Sequence, residues 1–455
     1  MPPRSAEPET LAIHRFGLGG RPGERRTAAS DPRGWLKQQL SVPAPSSPRI
    51  EALPTHPELL LTQVQRSAAS DAKAGRKWAR QHLQVERLAR FTHAATTDQP
   101  FRERWVRFWS NHLCVSARKR PITGLVGAHE REVIRAHDTG SFAALLLACT
   151  AHPAMLAYLD NQQSVGPDSP MGRSKQQGLN ENLAREVLEL HTLGVDGGYT
   201  QDDVIALAQM LTGWTLRRPA SSFELRETAF IYAERRHQPG AKLLLGVAYP
   251  PTGQDEARDA LRHLATHPAT ARHLAHKLAV HFVADDPPES IVGDLAGTFR
   301  DTEGDLKAIG EALVDHDGVW TTAARSPKLR TPEEVSIAMV RASGWTDDQD
   351  DVPEYIQQVA RGVQQLGQPA LEPPSPAGWP DQTEDWAAPE QILRRVELAE
   401  KMGRRLKADV ASPERWAADL LGDRLHTDTR HAITRAPDLP TALALVLASP
   451  EFQWR

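Results

Sequence analysis

The chain has 455 residues, of which 40% are hydrophobic and 25% charged, a composition that fits a globular protein and excludes a disordered chain. The formal net charge of -4 gives no overall basic field, so a nucleic-acid partner is not expected. Two cysteines, Cys114 and Cys149, both in apolar helix-like contexts, exclude a disulfide framework and a cysteine-based zinc site. They are expected as buried free thiols. The first twenty residues lack the apolar stretch of a secretory signal, and no apolar run approaches the roughly 20 residues needed to span a bilayer. The expectation is a cytoplasmic protein with no membrane span.

In chain order the pattern is helical almost throughout. Apolar residues recur every three or four positions, with Ala, Leu, Glu, Arg and Gln between them. "RFGLGGRPG" (residues 15–23) is glycine-rich, but it follows no strand and lacks a phosphate-loop lysine, so it reads as a packed entry turn. "SVPAPSSP" (residues 41–48) is a loop. In "RERWVRFWSNHL", Trp105, Phe108, Trp109 and His112 fall at i, i+3, i+4 and i+7, so His112 ends an aromatic stripe. There it is either a satisfied core histidine or a proton shuttle or ligand.

"NENLAREVLELHTLGVDGGYT" (residues 180–200) concentrates the candidate chemistry. At about 100° per residue, Leu179, Leu183, Val187 and Leu190 form a core stripe. Asn182, Glu186 and Glu189 cluster on one flank, and Arg185 can pair with Glu181 or Glu189 at i, i+4. His191 falls on the opposite flank. Neither Glu-x-x-His nor His-Glu-x-x-His spacing is present, so any metal needs ligands from other helices. Gly194 supplies a left-handed cap, Asp196-Gly197-Gly198 a turn, and Thr200 with Asp203 a capping box for a second helix burying Val204, Leu207, Ala208 and Leu211. Two half-buried glutamates together raise at least one pKa and make a proton donor, whereas a paired set is a structural ion network.

Strand signals are confined to "FELRETAFIYAE" (residues 223–234) and "KLLLGVAYP" (residues 242–250), which could pair as a short hairpin. Next to them, His237 in "ERRHQPG" is an isolated polar residue at a loop junction. "ARHLAHKLAVHF" offers His273 and His276 at i, i+3 with His281 beyond, a weak zinc spacing that is usually surface decoration. Lys328 and Arg330 in "SPKLRTPEE" are further polar residues able to reach a shared pocket. With Arg185 they could hold a phosphate or sulfate. Residues 368–390 are proline-rich but carry Trp379 and Trp386, as expected of a segment packed on the body.

Together these landmarks resemble the bacterial domain-of-unknown-function family 1800. The resemblance rests on residues 180–200, on the helix after them ending "LTGW", and on "HRFGLGGRPGE", "FWSNHL", "MLAYLDNQQS", "KLAVHFV", "KLRTPEE", "PPSPAGWP" and "LASPEFQWR". Val187 is a mild departure. The resemblance covers nearly the whole chain. It implies one helical unit, 1–455, with a possible division into halves 1–220 and 250–455. Members are often encoded beside a protein resembling the alkaline phosphatase/sulfatase superfamily, which implies such a partner, and many relatives are exported.

The expectation is therefore a mainly α protein, an array of αα-hairpins with at most a short β-hairpin near 223–248. The suspected function is an enzyme with a carboxylate/histidine site for metal-assisted or acid/base hydrolysis or oxidation. The catalytic candidates are Arg185, Glu186, Glu189, His112 and His191; the substrate-binding candidates are Asn182, His237, Lys328 and Trp379; no cofactor is assigned. The alternative is a non-catalytic helical scaffold that binds a partner.

Overall fold

The structure is a computed structural model that describes residues 7–43, 46–69, 72–175, 178–217, 229–347, 351–406 and 410–455. The chain is mainly α, with two small two-stranded antiparallel sheets among the described residues. No described helix is long and apolar enough to cross a membrane.

Six helices position the site. α1 (Ala72–Thr96) is long, and α2 (Pro100–His112) starts with proline at its first turn, where a missing N–H costs nothing. α3 (Asn182–Glu186) runs into a π-turn at Val187–His191. α4 (Gln201–Leu211) opens with the Thr200/Asp203 capping box and buries Val204, Leu207, Ala208 and Leu211. α5 (Pro268–Phe282) and α6 (Pro332–Ala342) also begin at proline. Between α3 and α4, Gly194 adopts φ 86°, and a Cβ there would lie 2.9 Å from His273 Nδ1, so the position needs both the left-handed backbone and the missing side chain.

The strands pair differently from the expected hairpin. β1 (Trp214–Leu216) pairs with β2 (Phe230–Tyr232), in register Thr215 to Ile231. β3 (Lys242–Leu244) folds back on β4 (Val247–Tyr249). "KLLLGVAYP" is thus a hairpin by itself, because Leu245 and Gly246 take the positive φ that a two-residue turn requires. Residues 223–228 of the expected strand lie outside the described residues.

Two apolar cores form. The larger runs from Leu11 to Trp320 and includes the α2 aromatics, Val187, Leu188 and the inner face of α4. The second joins Leu18, Phe91, Ala94 and Ala95 to residues from Val335 to Phe452. Helix α1 therefore bridges both, contributing Leu83 to one and Phe91 to the other. Cys114 and Cys149 are buried free thiols.

The proline-rich segment packs against the end of α2. Asn111 donates from Nδ2 to Trp379 O at 2.9 Å and accepts from Trp379 N–H at 2.8 Å. Ser116 Oγ donates to Pro373 O at 2.8 Å, and Ala117 N–H to Leu371 O at 3.0 Å. Replacing Asn111 with alanine strands a backbone N–H and C=O. Asn111→Ala is expected to lose about 1–3 kcal/mol and to make the 373–381 segment cleavable in limited proteolysis. An unchanged denaturation midpoint and cleavage pattern would show that the segment is held otherwise.

Candidate functional site

The carboxylate flank of α3 separates into a paired and an unpaired half. Arg185 Nη2 donates to Glu181 Oε2 at 3.0 Å and to Gln201 Oε1 at 2.9 Å, and Gln201 Nε2 donates to Glu181 at 2.8 Å. Arg185 is thereby committed to the helix start and to α4. Asn182 is exposed at the first turn. Glu189 accepts only a long hydrogen bond, from Tyr199 Oη at 3.4 Å. Glu186 is half-buried and has no hydrogen-bond donor among the described residues. Burial first and Glu189 second raise its pKa, against the pull of Arg185.

The π-turn aims its last carbonyls at two other helices. His112 Nε2–H of α2 donates to His191 O at 3.1 Å, and His273 Nε2–H of α5 donates to Leu190 O at 3.1 Å. These bonds place the proton on Nε2 of both rings and leave lone pairs on Nδ1. His112 Nδ1 and both ring nitrogens of His191 are buried without a hydrogen-bond partner. The His112 ring centroid lies 6.4 Å from that of His191 and 6.1 Å from that of His273. The structure therefore brings His112 and His191 together and keeps them apart from the Arg185–Glu181 pair.

Lys277 sits in this seam, and sequence reasoning missed it. It lies one turn beyond His273 and one turn before His281, so α5 shows His273, Lys277 and His281 in one row at i, i+4, i+8. That spacing in "HLAHKLAVH" was the available signal. His281 Nδ1 holds Asp381 Oδ2 at 2.6 Å. Lys277 itself makes no hydrogen bond or ion pair with a described residue. Burial lowers its pKa, with Asp381 opposing.

Burial, then Lys277 and His273, bring His191 down to about 3. Burial and Lys277 bring His273 to about 4, and the same influences hold His112 well below its ordinary value. All three imidazoles are neutral at pH 7. The Cys114 thiol, pushed up to about 12 by burial, lies within electrostatic reach of both Lys277 and Glu186. Beside the seam opens a cavity lined by Asn111, Cys114, His281, Trp379 and Asp381. Trp379 thus stands on the cavity wall, its ring 5.9 Å from the Arg118 guanidinium.

His237 lies elsewhere, and Lys328 stands behind Asp381 of the cavity wall. His237 Nδ1 donates to Thr212 O at 2.9 Å, and its Nε2 faces Glu256 and Lys242, which are joined at 2.6 Å. Lys328 Nζ donates to Asp285 and to Asp381 O at 2.8 Å. Arg330 donates to the carbonyls of Phe452 and Trp454 and to His14 Nδ1. The suggested anion site formed by Arg185, Lys328 and Arg330 is not assembled, because backbone carbonyls and carboxylates already take their donors.

Several buried carboxylates elsewhere are paired with cations. Glu103, with a fully buried side chain, meets Arg135 at 2.7 Å, Arg107 at 3.0 Å and His93 at 3.4 Å. Glu130 meets Arg90 at 2.6 Å and Arg135 at 2.9 Å. Burial opposes its carboxylate, but Arg90 and Arg135 prevail and hold it at about 2.

Near this network, His56, Glu132 and His152 converge with donor atoms within 4.8 Å. Their tautomers do not fit a metal. His152 Nδ1 accepts Ala154 N–H at 3.1 Å, and His56 Nε2 accepts Ala229 N–H at 3.4 Å. The nitrogens facing Glu132 therefore carry the protons: the carboxylate accepts from His56 Nδ1 and faces His152 Nε2 at 3.5 Å, whereas a metal would need lone pairs there.

The depressed histidines set a pH dependence. Between about 6.5 and 4 the unfolded chain binds protons that His191 and His273 refuse, so stability falls as pH falls, by about 1.4 kcal/mol per pH unit for each ring. The depressed carboxylates, Glu130 among them, lose their contribution only further down, from about pH 4.3 toward 2. Urea midpoints between pH 7 and pH 5 should drop in wild type, and the slope should fall by about one proton in His191→Phe. Equal slopes would mean that His191 is protonated in the fold.

No curated protein and no solved structure matches the chain. A family model described as "Protein of unknown function (DUF1800)" matches residues 11–454. The chain belongs to that family.

Proposed function

We propose that the protein is an enzyme working by proton transfer at Glu186, in the seam where the π-turn meets α2 and α5. One observation carries this reading: Glu186 is a half-buried carboxyl with a raised pKa and no hydrogen-bond donor among the described residues, whereas Glu103, Glu130 and Glu334 each meet an arginine. Structural carboxylates are held in the ionised state by cations, as Glu103 is. A carboxyl whose surroundings favour its proton is the form needed by a general acid. Glu189 beside it supplies part of the shift, and Tyr199 restrains Glu189. Neutral His112 and His191 can accept or relay a proton. The substrate would be a small polar molecule entering by the cavity at Trp379.

The paired Arg–Glu network supports a second reading, a helical scaffold that docks a phosphatase- or sulfatase-like protein. The two readings differ at Glu186. Glu186→Gln removes only a poorly solvated charge, so its melting temperature should equal or exceed that of wild type, while Glu103→Gln should lose about 3–5 kcal/mol. Incubating each purified protein with a metabolite extract and following losses by mass spectrometry should show a compound that wild type consumes and Glu186→Gln consumes at least about 10²-fold more slowly. Equal turnover by the two, or a collapse of Glu186→Gln comparable to that of Glu103→Gln, rules out the proton-transfer role.

A further inference from the structure

Lys277 is the seam's unresolved charge. It is half-buried on α5 between His273 and His281, and no described group accepts a hydrogen bond from it. The groups facing it can be named element by element. α5 contributes His273, the exposed His276 and His281; α2 and the residues after it contribute His112 and Cys114; the π-turn contributes His191; the proline-rich segment contributes Asp381. Asp381 is the only carboxylate in this set. It is already bound by His281 at 2.6 Å and faces Arg455 at 3.7 Å. The buried rings of His112, His191 and His273 are neutral and the thiol is protonated. Asp381 acts on the ammonium only at a distance, without a hydrogen bond or ion pair, whereas three buried ring nitrogens, His112 Nδ1 and both of His191, stand without partners among the described residues.

A lysine so placed is an amine nucleophile rather than a salt-bridge partner. We propose that Lys277 forms an imine with an aldehyde or ketone substrate in the seam between α2 and α5. This deepens the proton-transfer reading and rests on it for the steps that follow imine formation.

The step balances without a co-reactant. The Nζ lone pair forms a bond to the carbonyl carbon as the C=O π pair moves to oxygen. The oxygen gains a proton and Nζ loses one, giving a carbinolamine. The hydroxyl then leaves as water with a further proton, Nζ gives up its second hydrogen, and the C=N bond forms. Amine plus carbonyl gives imine plus water, and the unpartnered nitrogens of His112 and His191 are the carriers for the protons exchanged.

The test is reductive trapping on the full chain. Glyoxylate with sodium cyanoborohydride at pH 7, followed by peptide mapping, should place the adduct on Lys277 at least about 10-fold ahead of the exposed Lys77 and Lys401. Lys277→Met and Lys277→Arg should both fold and both lose this adduct. Labelling of Lys277 no greater than that of Lys77 and Lys401, or an equal adduct yield in Lys277→Arg, overturns the proposal. Running Glu186→Gln in parallel separates the two ideas. Trapping that persists there while turnover is lost supports both. Trapping with unchanged turnover in Glu186→Gln removes only the Glu186 role, and turnover lost in Glu186→Gln with no Lys277 adduct in wild type removes only the imine.

Discussion

Two backbone carbonyls, those of Leu190 and His191, organise the centre of the molecule. A regular α-helix would have turned them along its own axis. They belong to the last two residues of the π-turn at Val187–His191, where carbonyls lack a helical partner, and imidazoles from α2 and α5 donate to them. Three segments far apart in sequence are tied by these bonds. The same bonds fix the Nε2 tautomers and keep the rings buried and neutral. Thr192 Oγ1 completes the arrangement by donating to Val187 O at 2.6 Å. π-turns are uncommon and tend to occur where a side chain must be re-aimed for function.

Around this centre the charged groups fall into two kinds. Glu103, Glu130 and Glu334 each meet an arginine, so their burial is offset by short ion pairs and their removal would leave a stranded partner. Among the described residues Glu186 and Lys277 have no hydrogen bond or ion pair. Since desolvating a lone charge is costly, two such groups near one thiol are hard to account for as packing. They make sense if a ligand completes them.

Local signals in the sequence were legible where the physics is local. The Thr200/Asp203 capping box, the Glu181–Arg185 pair and the left-handed Gly194 all follow from spacing within a few residues. The helical wheel placed His191 away from Glu186, but a 100° step cannot anticipate a wider π-turn, and so the partners of His191 were invisible. His237 and Lys328 looked available because their partners lie far along the chain or on backbone carbonyls: Lys328 meets Asp285 and Asp381, and Arg330 meets Phe452 and Trp454. Lys277 went unremarked because its significance is the absence of a partner, which only three-dimensional packing reveals.

The strap from Asn111 to Trp379 spans 268 residues of sequence. Its outer wall, including Asp381 and the Trp379 ring, is therefore synthesised long after α2 and the π-turn. Domains generally begin to fold from the N-terminal side as the chain emerges. While the ribosome is still making the last third, the histidine seam can form but remains open to water on one side. Any reactivity that depends on a shielded Lys277 thus switches on only late in synthesis, so a truncated or prematurely released chain would carry the same side chains in an inert, hydrated state.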